Sequence, residues 1–308
     1  MATTTSITTT YAGEFAGKYV SAALLGGKTL GEGLISIKPN IKYKEVMKKV
    51  ASDDIVKDAT CDFTATSTLT LTERILQPEE FQVNLQLCKK DFISDWEAIS
   101  MGYSAYSDLP KNFSDFLIAH VAAKVAQRIE TNIWNGANAT TGQFDGFKQT
   151  LAADGDVNDV IATDVTASNV VGEIGKVADA IPSAVYGADD LTIYAAPNVI
   201  RAYIRALGGF ALGTGFGAGY KDEGQQWYAN QALTFDGINV AMAQGLPDNI
   251  MIAAEKSNLF FGTGLMSDQN EVKVIDMADL DGSQNVRVVM RFTAGIQHAI
   301  GGDIVLYT

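Results

Sequence analysis

The sequence predicts an α+β fold, with one long helix set between stretches rich in strand. Three observations carry this. Apolar side chains recur every fourth residue at Phe113, Leu117, Val121, Val125, Ile129 and Ile133. Strict alternation of apolar and polar residues occupies Phe81-Gln82-Val83-Asn84-Leu85-Gln86-Leu87, the period of a strand with one buried face. The last third of the chain holds six further strand-like runs.

Taken in order, residues 1–40 are Thr-rich and Gly-rich, with too little patterned apolar content to fold alone. Such a segment is expected to lie across a neighbour or to stay unfolded. Residues 41–60 are rich in Lys and Asp and sparse in apolar residues, which suits an exposed loop or hairpin tip. Thr68-Leu69-Thr70-Leu71-Thr72 and the run at Phe81–Leu87 read as strands, separated by Pro78-Glu79-Glu80. Together they predict an elongated β arm ahead of the helix. Phe92 to Met101 reads as a short helix carrying Trp96 and Ile99.

The long helix is predicted to start at Asn112 as N-cap and to stop at Asn135-Gly136, glycine tolerating the left-handed conformation that closes a helix. An ideal helix turns once per about 3.6 residues, so each step of four overshoots by about 40°. The apolar stripe therefore winds around the axis, and the two ends of the helix need partners on different sides. Beyond it come a turn at Gly142-Gln143-Phe144-Asp145-Gly146, a helix at Asn169–Ile181, a strand from Leu191, and a helix from Pro197 to Leu207. The expected closing strands are Ile238–Ala243, Asn249–Ala254, Asn258–Gly262, Glu271–Met277, Val286–Phe292 and Asp303–Tyr307.

Composition bounds the function. The 308 residues are 47% hydrophobic, ample for a large core, and suggest one large domain or two subdomains. No apolar run approaches the roughly 18 residues of a membrane span. The first ten residues lack the basic and apolar regions of a secretory signal, so the cytosol is the default compartment. The net charge of −13 is uneven. Residues 1–50 carry seven Lys/Arg against three Asp/Glu, whereas residues 151–308 carry eight against nineteen. An acidic body excludes a conventional nucleic-acid reader. A basic segment on one copy is instead suited to the acidic surface of another. Lys42, Lys44, Lys48 and Lys49 are the candidates for such contacts.

Tests for chemistry fail one after another. Cys61 and Cys88 are too far apart for a zinc or redox motif and are expected to be buried free thiols. His120 and His298 are the sole histidines; His120 is expected to be a partly buried member of the long helix. Gly213-Thr214-Gly215-Phe216-Gly217-Ala218-Gly219 has the wrong spacing for a dinucleotide loop and follows a helix. Gly27-Lys28-Thr29 lacks the first glycine and the strand of a P-loop. Asp154-Gly155-Asp156-Val157-Asn158-Asp159 opens like a calcium loop but lacks its glycine and closing glutamate, so it reads as an acidic turn. Asp189-Asp190 and Glu79-Glu80 have no flanking features of a buried acid and base. No catalytic, cofactor or metal residue is assigned.

The order of parts resembles the major capsid protein of tailed double-stranded DNA bacteriophages, a fold shared with encapsulins. The local stretches that carry the likeness are Phe113–Gly136 with Gly142–Gly146, Leu191–Leu207, and Arg291-Phe292-Thr293-Ala294-Gly295 before Asp303-Ile304-Val305-Leu306. The resemblance implies an N-terminal arm at 1–40, an extended loop at 41–87, a peripheral domain with the spine helix at 88–149, and an axial domain at 150–265. Residues 266–308 would be closing strands that return to the peripheral domain. It implies a non-enzymatic virion protein, assembled in the host cytoplasm into hexamers and pentamers of an icosahedral shell around double-stranded DNA. Implied partners are a separate scaffolding protein, a portal, and decoration or cement proteins. The glycine loop, with Gly208, Gly209, Gly213, Gly215, Gly217 and Gly219, would crowd the capsomer centre, where one loop must suit both five-fold and six-fold surroundings. No helical prodomain is visible, so no maturation cleavage is expected. The alternatives are an encapsulin-type compartment and an enzyme of unrecognised family.

Overall fold

Strand β13 (Asn285–His298) alternates Val286, Val288, Met290 and Phe292 on a buried face with Arg287 and Arg291 on an exposed one. Around it the computed structural model builds a six-stranded sheet. The described residues are 9–12, 27–52, 55–59, 61, 65–66, 68–88, 111–207, 233–264 and 271–308. The helix expected at 92–101 and the glycine loop at 208–219 lie outside them.

Strand β13 pairs antiparallel with β5 (Glu79–Cys88), β12 (Glu271–Asp276) and β11 (Leu259–Gly262). At the margins, β1 (Thr9–Ala12) pairs with β12, and β2 (Ser36–Lys38) runs parallel to β11. The buried face of this sheet is covered by the long helix α2 (Lys111–Asn135), where Ile118 and Val121 meet Val272, Val288 and Met290. A second six-stranded sheet has the order β6 (Asn158–Val160), β14 (Val305–Tyr307), β10 (Met251–Glu255), β7 (Leu191–Ala195), β9 (Ile238–Met242) and β8 (Leu233–Phe235). Helices α4 (Val170–Asp179) and α5 (Pro197–Leu207) pack together beside it. One continuous cluster of buried apolar residues joins both sheets through α2.

The two ends of α2 meet different partners, but the far end does so through Trp134, which lies outside the four-residue series. Val121, Val125 and Ile129 of that series all line one groove with Phe81, Val83 and Leu85 of the first sheet. Val121, in the first half, faces the first sheet. At the far end Trp134 is fully buried, 5.6 Å from the ring of Phe147 in α3 (Phe147–Ala152) and 5.1 Å from that of Tyr194 in β7. The Trp134 indole donates to Thr29 Oγ1 (2.8 Å), and the Thr29 amide and hydroxyl both donate to the buried Glu130 carboxylate. Thus Gly27-Lys28-Thr29, the discarded P-loop fragment, begins the short helix α1 (Lys28–Gly31) and ties it to α2.

Several expectations differ from the structure. Helix α2 begins at Lys111, so Asn112 lies in its first turn rather than capping it. Gly136 is not in the left-handed region. It is glycine because a Cβ there would stand 2.1 Å from the Phe144 carbonyl oxygen, and one on Gly146 would stand 2.6 Å from that of Asn132. Two backbone segments touch at the end of the helix, joined by the Gly146 amide donating to the Gly136 carbonyl (2.9 Å). Gly136→Ala is therefore expected to cost upwards of about 4 kcal/mol, seen as loss of soluble chain or a collapsed thermal transition. A normal melt would show that the turn can move aside.

The Lys-rich stretch, expected as an exposed loop or hairpin tip, is the first leg of a hairpin: it contains β3 (Glu45–Ser52), whose partner is β4 (Leu69–Leu76). Strand β5, expected in the same arm, joins the first sheet instead, because its alternating apolar face matches that of β13. Of the closing strands, β12 and β13 lie in the first sheet, whereas β14 completes the second. There the Tyr307 hydroxyl donates to the buried Glu173 carboxylate at 2.7 Å. Cys61 is exposed and Cys88 half-buried, so neither is the core thiol expected. His120 is exposed on α2.

Candidate assembly surface

The β3–β4 hairpin projects as a two-stranded sheet of its own. Its register opposes Val46 with Ile75, Lys48 with Glu73, Val50 with Leu71 and Ser52 with Leu69. Residues directly opposite share a face, so one face gathers Val46, Val50, Leu69, Leu71 and Ile75 around a single Lys48–Glu73 pair. These five apolar side chains are all exposed, Val50 at 58% and Leu71 at 60%. Ile55 and Val56, in the connection beyond β3, are exposed as well. A lone two-stranded hairpin is marginally stable in water, and a contiguous exposed apolar face marks a surface that something covers.

The structure disperses the four candidate lysines. Lys42 and Lys44 are exposed in the segment entering β3, where the Lys44 ammonium lies 5.2 Å from the Tyr43 ring centroid. Lys48 and Lys49 are neighbours on one strand and so point to opposite faces; Lys48 stands opposite Glu73, Lys49 opposite Thr72. The lysines therefore do not form one patch: Lys48 sits within the apolar face, Lys49 on the opposite face, and Lys42 and Lys44 in the segment before the hairpin.

Sequence reasoning missed how the hairpin is anchored. Arg74, near the end of β4, donates to Asp154 Oδ2 at 2.5 Å, and His298 Nε2 lies 2.8 Å from the same oxygen. A Cβ on Gly301 would stand 2.3 Å from that oxygen, so glycine leaves room for the carboxylate. Gln297 Nε2 donates to the Ile75 carbonyl, while Lys38 pairs with Glu45 on the other leg. Leu76 is fully buried, and the Ile41 amide donates to the Thr263 carbonyl. Burial would raise the Asp154 carboxyl, but hydrogen bonds from His298, the Asp156 amide and Arg74, with the Arg74 charge, hold it below its ordinary value. Burial pushes the His298 imidazole down, outweighing the bond to Asp154, and the Arg74 charge adds to the effect. His298 is therefore neutral at neutral pH, with Nε2 donating and Nδ1 a buried acceptor without a partner.

The acidic turn at Asp154–Asp159 is thereby accounted for: Asp154 serves Arg74 and His298, and Asn158 donates to the Gly302 carbonyl. Among the described residues no cluster of His, Cys, Asp and Glu could hold a metal ion, and no helix is long and apolar enough to cross a membrane. The two acidic pairs are tied into local structure, Glu79 by Asn138 and Asp190 by the Ser257 amide.

No family model and no curated protein matches the chain. Solved structures do. The capsid of a native GTA particle superposes with a TM-score of 0.61 at 13% identity, over 93% of this chain and 89% of that one. For Mycobacterium phage Ogopogo the TM-score is 0.57 at 12% identity, over 91% and 92% of the two chains. For the capsid of Myoviridae phage XM1 it is 0.56 at 12% identity, over 92% of each. Identities this low speak for architecture, and the architecture agrees along nearly the whole length: this chain has the fold of the phage capsid proteins.

Proposed function

We propose that the chain is the shell subunit of a tailed-phage-type virion, assembling through copies of itself into five- and six-membered rings that close as an icosahedral container for double-stranded DNA. The observation that carries the reading is the hairpin. A chain with a capsid fold holds five apolar side chains in water on an anchored arm, and a neighbouring copy supplies the cover. Its role is structural, with no reaction to catalyse.

In this reading the arm at 1–40 is held to the subunit by β1, α1 and β2, and the β3–β4 hairpin is the tip of the extended loop at 41–87, whose last strand, β5, belongs to the first sheet. Residues 88–149 form the peripheral part with α2, and 150–265 the axial part built on the second sheet. Residues 266–308 close the chain. The glycine loop at 208–219 meets its copies at the capsomer centre. The acidic body suits a container that encloses DNA without gripping its sequence, since the packaged phosphates bring their own counterions. A separate scaffolding protein, a portal and decoration proteins complete the assembly, which takes place in the host cytoplasm.

Expression of the chain alone, followed by gel filtration and negative-stain electron microscopy, tests the reading. Rings of five or six, or closed shells, are the expected result. Particles that stay monomeric even when the genes beside its own are co-expressed would overturn it. In the same assay, reversing Lys42, Lys44, Lys48 and Lys49 to Glu is expected to impair assembly with an unchanged circular dichroism spectrum. Normal shells from that variant would refute those lysines as contacts.

A further inference from the structure

A groove of about 440 Å³ runs between α2 and β5. Phe81, Val83 and Leu85 of β5 line it from one side, and Val121, Val125 and Ile129 of α2 from the other. Three features go beyond packing within one chain. The first is the edge of β5. Among the described residues this ten-residue strand pairs only with β13, and no described strand stands beside the N–H and C=O groups of its outer edge. A long unpaired edge is a template for strand addition.

The second feature is charge. Lys124 and Arg128 stand exposed on the helix side of the groove, and neither forms an ion pair among the described residues. They are four residues apart, so about 6 Å of helix rise separates them. Same-face residues of a strand lie about 6.8 Å apart, so two carboxylates at alternate positions of an extended segment can meet both cations. The third is Asn132, also in the groove lining and 3% exposed. Its amide nitrogen donates to the Gly142 carbonyl, while its oxygen is buried with no donor, a deficit that a bound segment with an N–H can relieve.

We propose that this groove receives an extended acidic segment of a separate protein, added as a strand to the outer edge of β5. Carboxylates at groove-facing positions would meet Lys124 and Arg128, and apolar side chains beyond them would fill the space beside Ile129 and Phe144. The β3–β4 hairpin of a second copy does not fit, because it would bring Lys42, Lys44, Lys48 and Lys49 to a cationic rim. The inference does not depend on the shell reading and can hold or fail separately from it.

The test uses the full chain before assembly and three fluorescein-labelled synthetic peptides of roughly ten residues, the length of a long strand. The first carries Glu at two successive groove-facing positions and Val and Phe at the next two, with Thr between. The second replaces Glu by Lys. The third repeats the first with N-methyl groups on the amides that would face β5. Fluorescence anisotropy is expected to show saturable binding of the acidic peptide, weakened at least about tenfold by Lys124→Glu with Arg128→Glu. N-methylation is expected to weaken it by at least about tenfold as well. Both replaced residues are exposed, and the Gln double variant, expected to bind at an intermediate level, serves if the Glu variant fails to fold. Equal binding of the basic peptide, indifference to N-methylation, unchanged affinity in the variants, or no saturation near about 1 mM would each overturn the proposal.

Discussion

Val50→Asp together with Leu71→Asp is expected to abolish shell formation while leaving the subunit folded. The two residues face each other across the hairpin, and both are more than half exposed. Removing them therefore takes little from the core of a single chain. The β3–β4 ladder is made by backbone groups and survives the change. In a shell, the same face would be covered by a neighbour, and burying a Val or Leu contributes about 1.5–3 kcal/mol each. Placing two carboxylates there forfeits that gain and adds the cost of desolvating charge. Each subunit of a closed shell repeats the loss, so weak cooperative contacts fail together. Gel filtration and negative-stain microscopy read the assembly, and a thermal melt reads the fold. Normal shells from the double variant would show that the face stays in water. A large fall in melting temperature would instead assign the face to the subunit's own core.

The fold was legible wherever the pattern is local. The four-residue spacing from Phe113 to Ile133 gave α2 almost to the residue, but the change of partner at its far end comes from Trp134, which is not in that series. The alternation at Phe81–Leu87 gave β5. Pairing was not legible, because it is settled by residues far apart in sequence. Strand β5 finds β13 some two hundred residues later, while β4 turns back to β3, whose three lysine and glutamate neighbours disguise the alternation of Val46 and Val50. Gly136 was read as a conformational choice; it is a steric one, fixed by a carbonyl eight residues on. The apolar face of the hairpin was present in the sequence as Leu69, Leu71 and Ile75. Without β3 beside them nothing marked them as exposed rather than core.

The anchor at the hairpin base shows the same limit most clearly, since Arg74, Asp154 and His298 are separated by 80 and 144 residues. Asp154→Asn keeps the shape of that junction and removes its charge. Breaking a buried pair costs about 3–5 kcal/mol, but the Arg74 side chain is 26% exposed and that of Asp154 14%. Solvent screening brings the expectation to about 2 kcal/mol, a fall of about 3–6 °C in melting temperature for a chain of this size. Acid acts in the same direction. Asp154 is held below its ordinary value, so its contribution is complete above about pH 4 and lost below it. His298 is also held down, so its contribution is complete above about pH 6.5 and declines as pH falls through the weakly acid range. Protonation there would place a buried cation beside the half-buried Arg74, with Nδ1–H facing no acceptor. His298→Gln removes that titration and leaves the Arg74–Asp154 pair, so its melting temperature should change less than the unaltered chain's between about pH 6.5 and 4.5. Melts of the three proteins across that range decide the matter. If Asp154→Asn matches the unaltered chain at neutral pH, the junction does not hold the hairpin; if His298→Gln keeps the same slope, the acid sensitivity belongs to other groups.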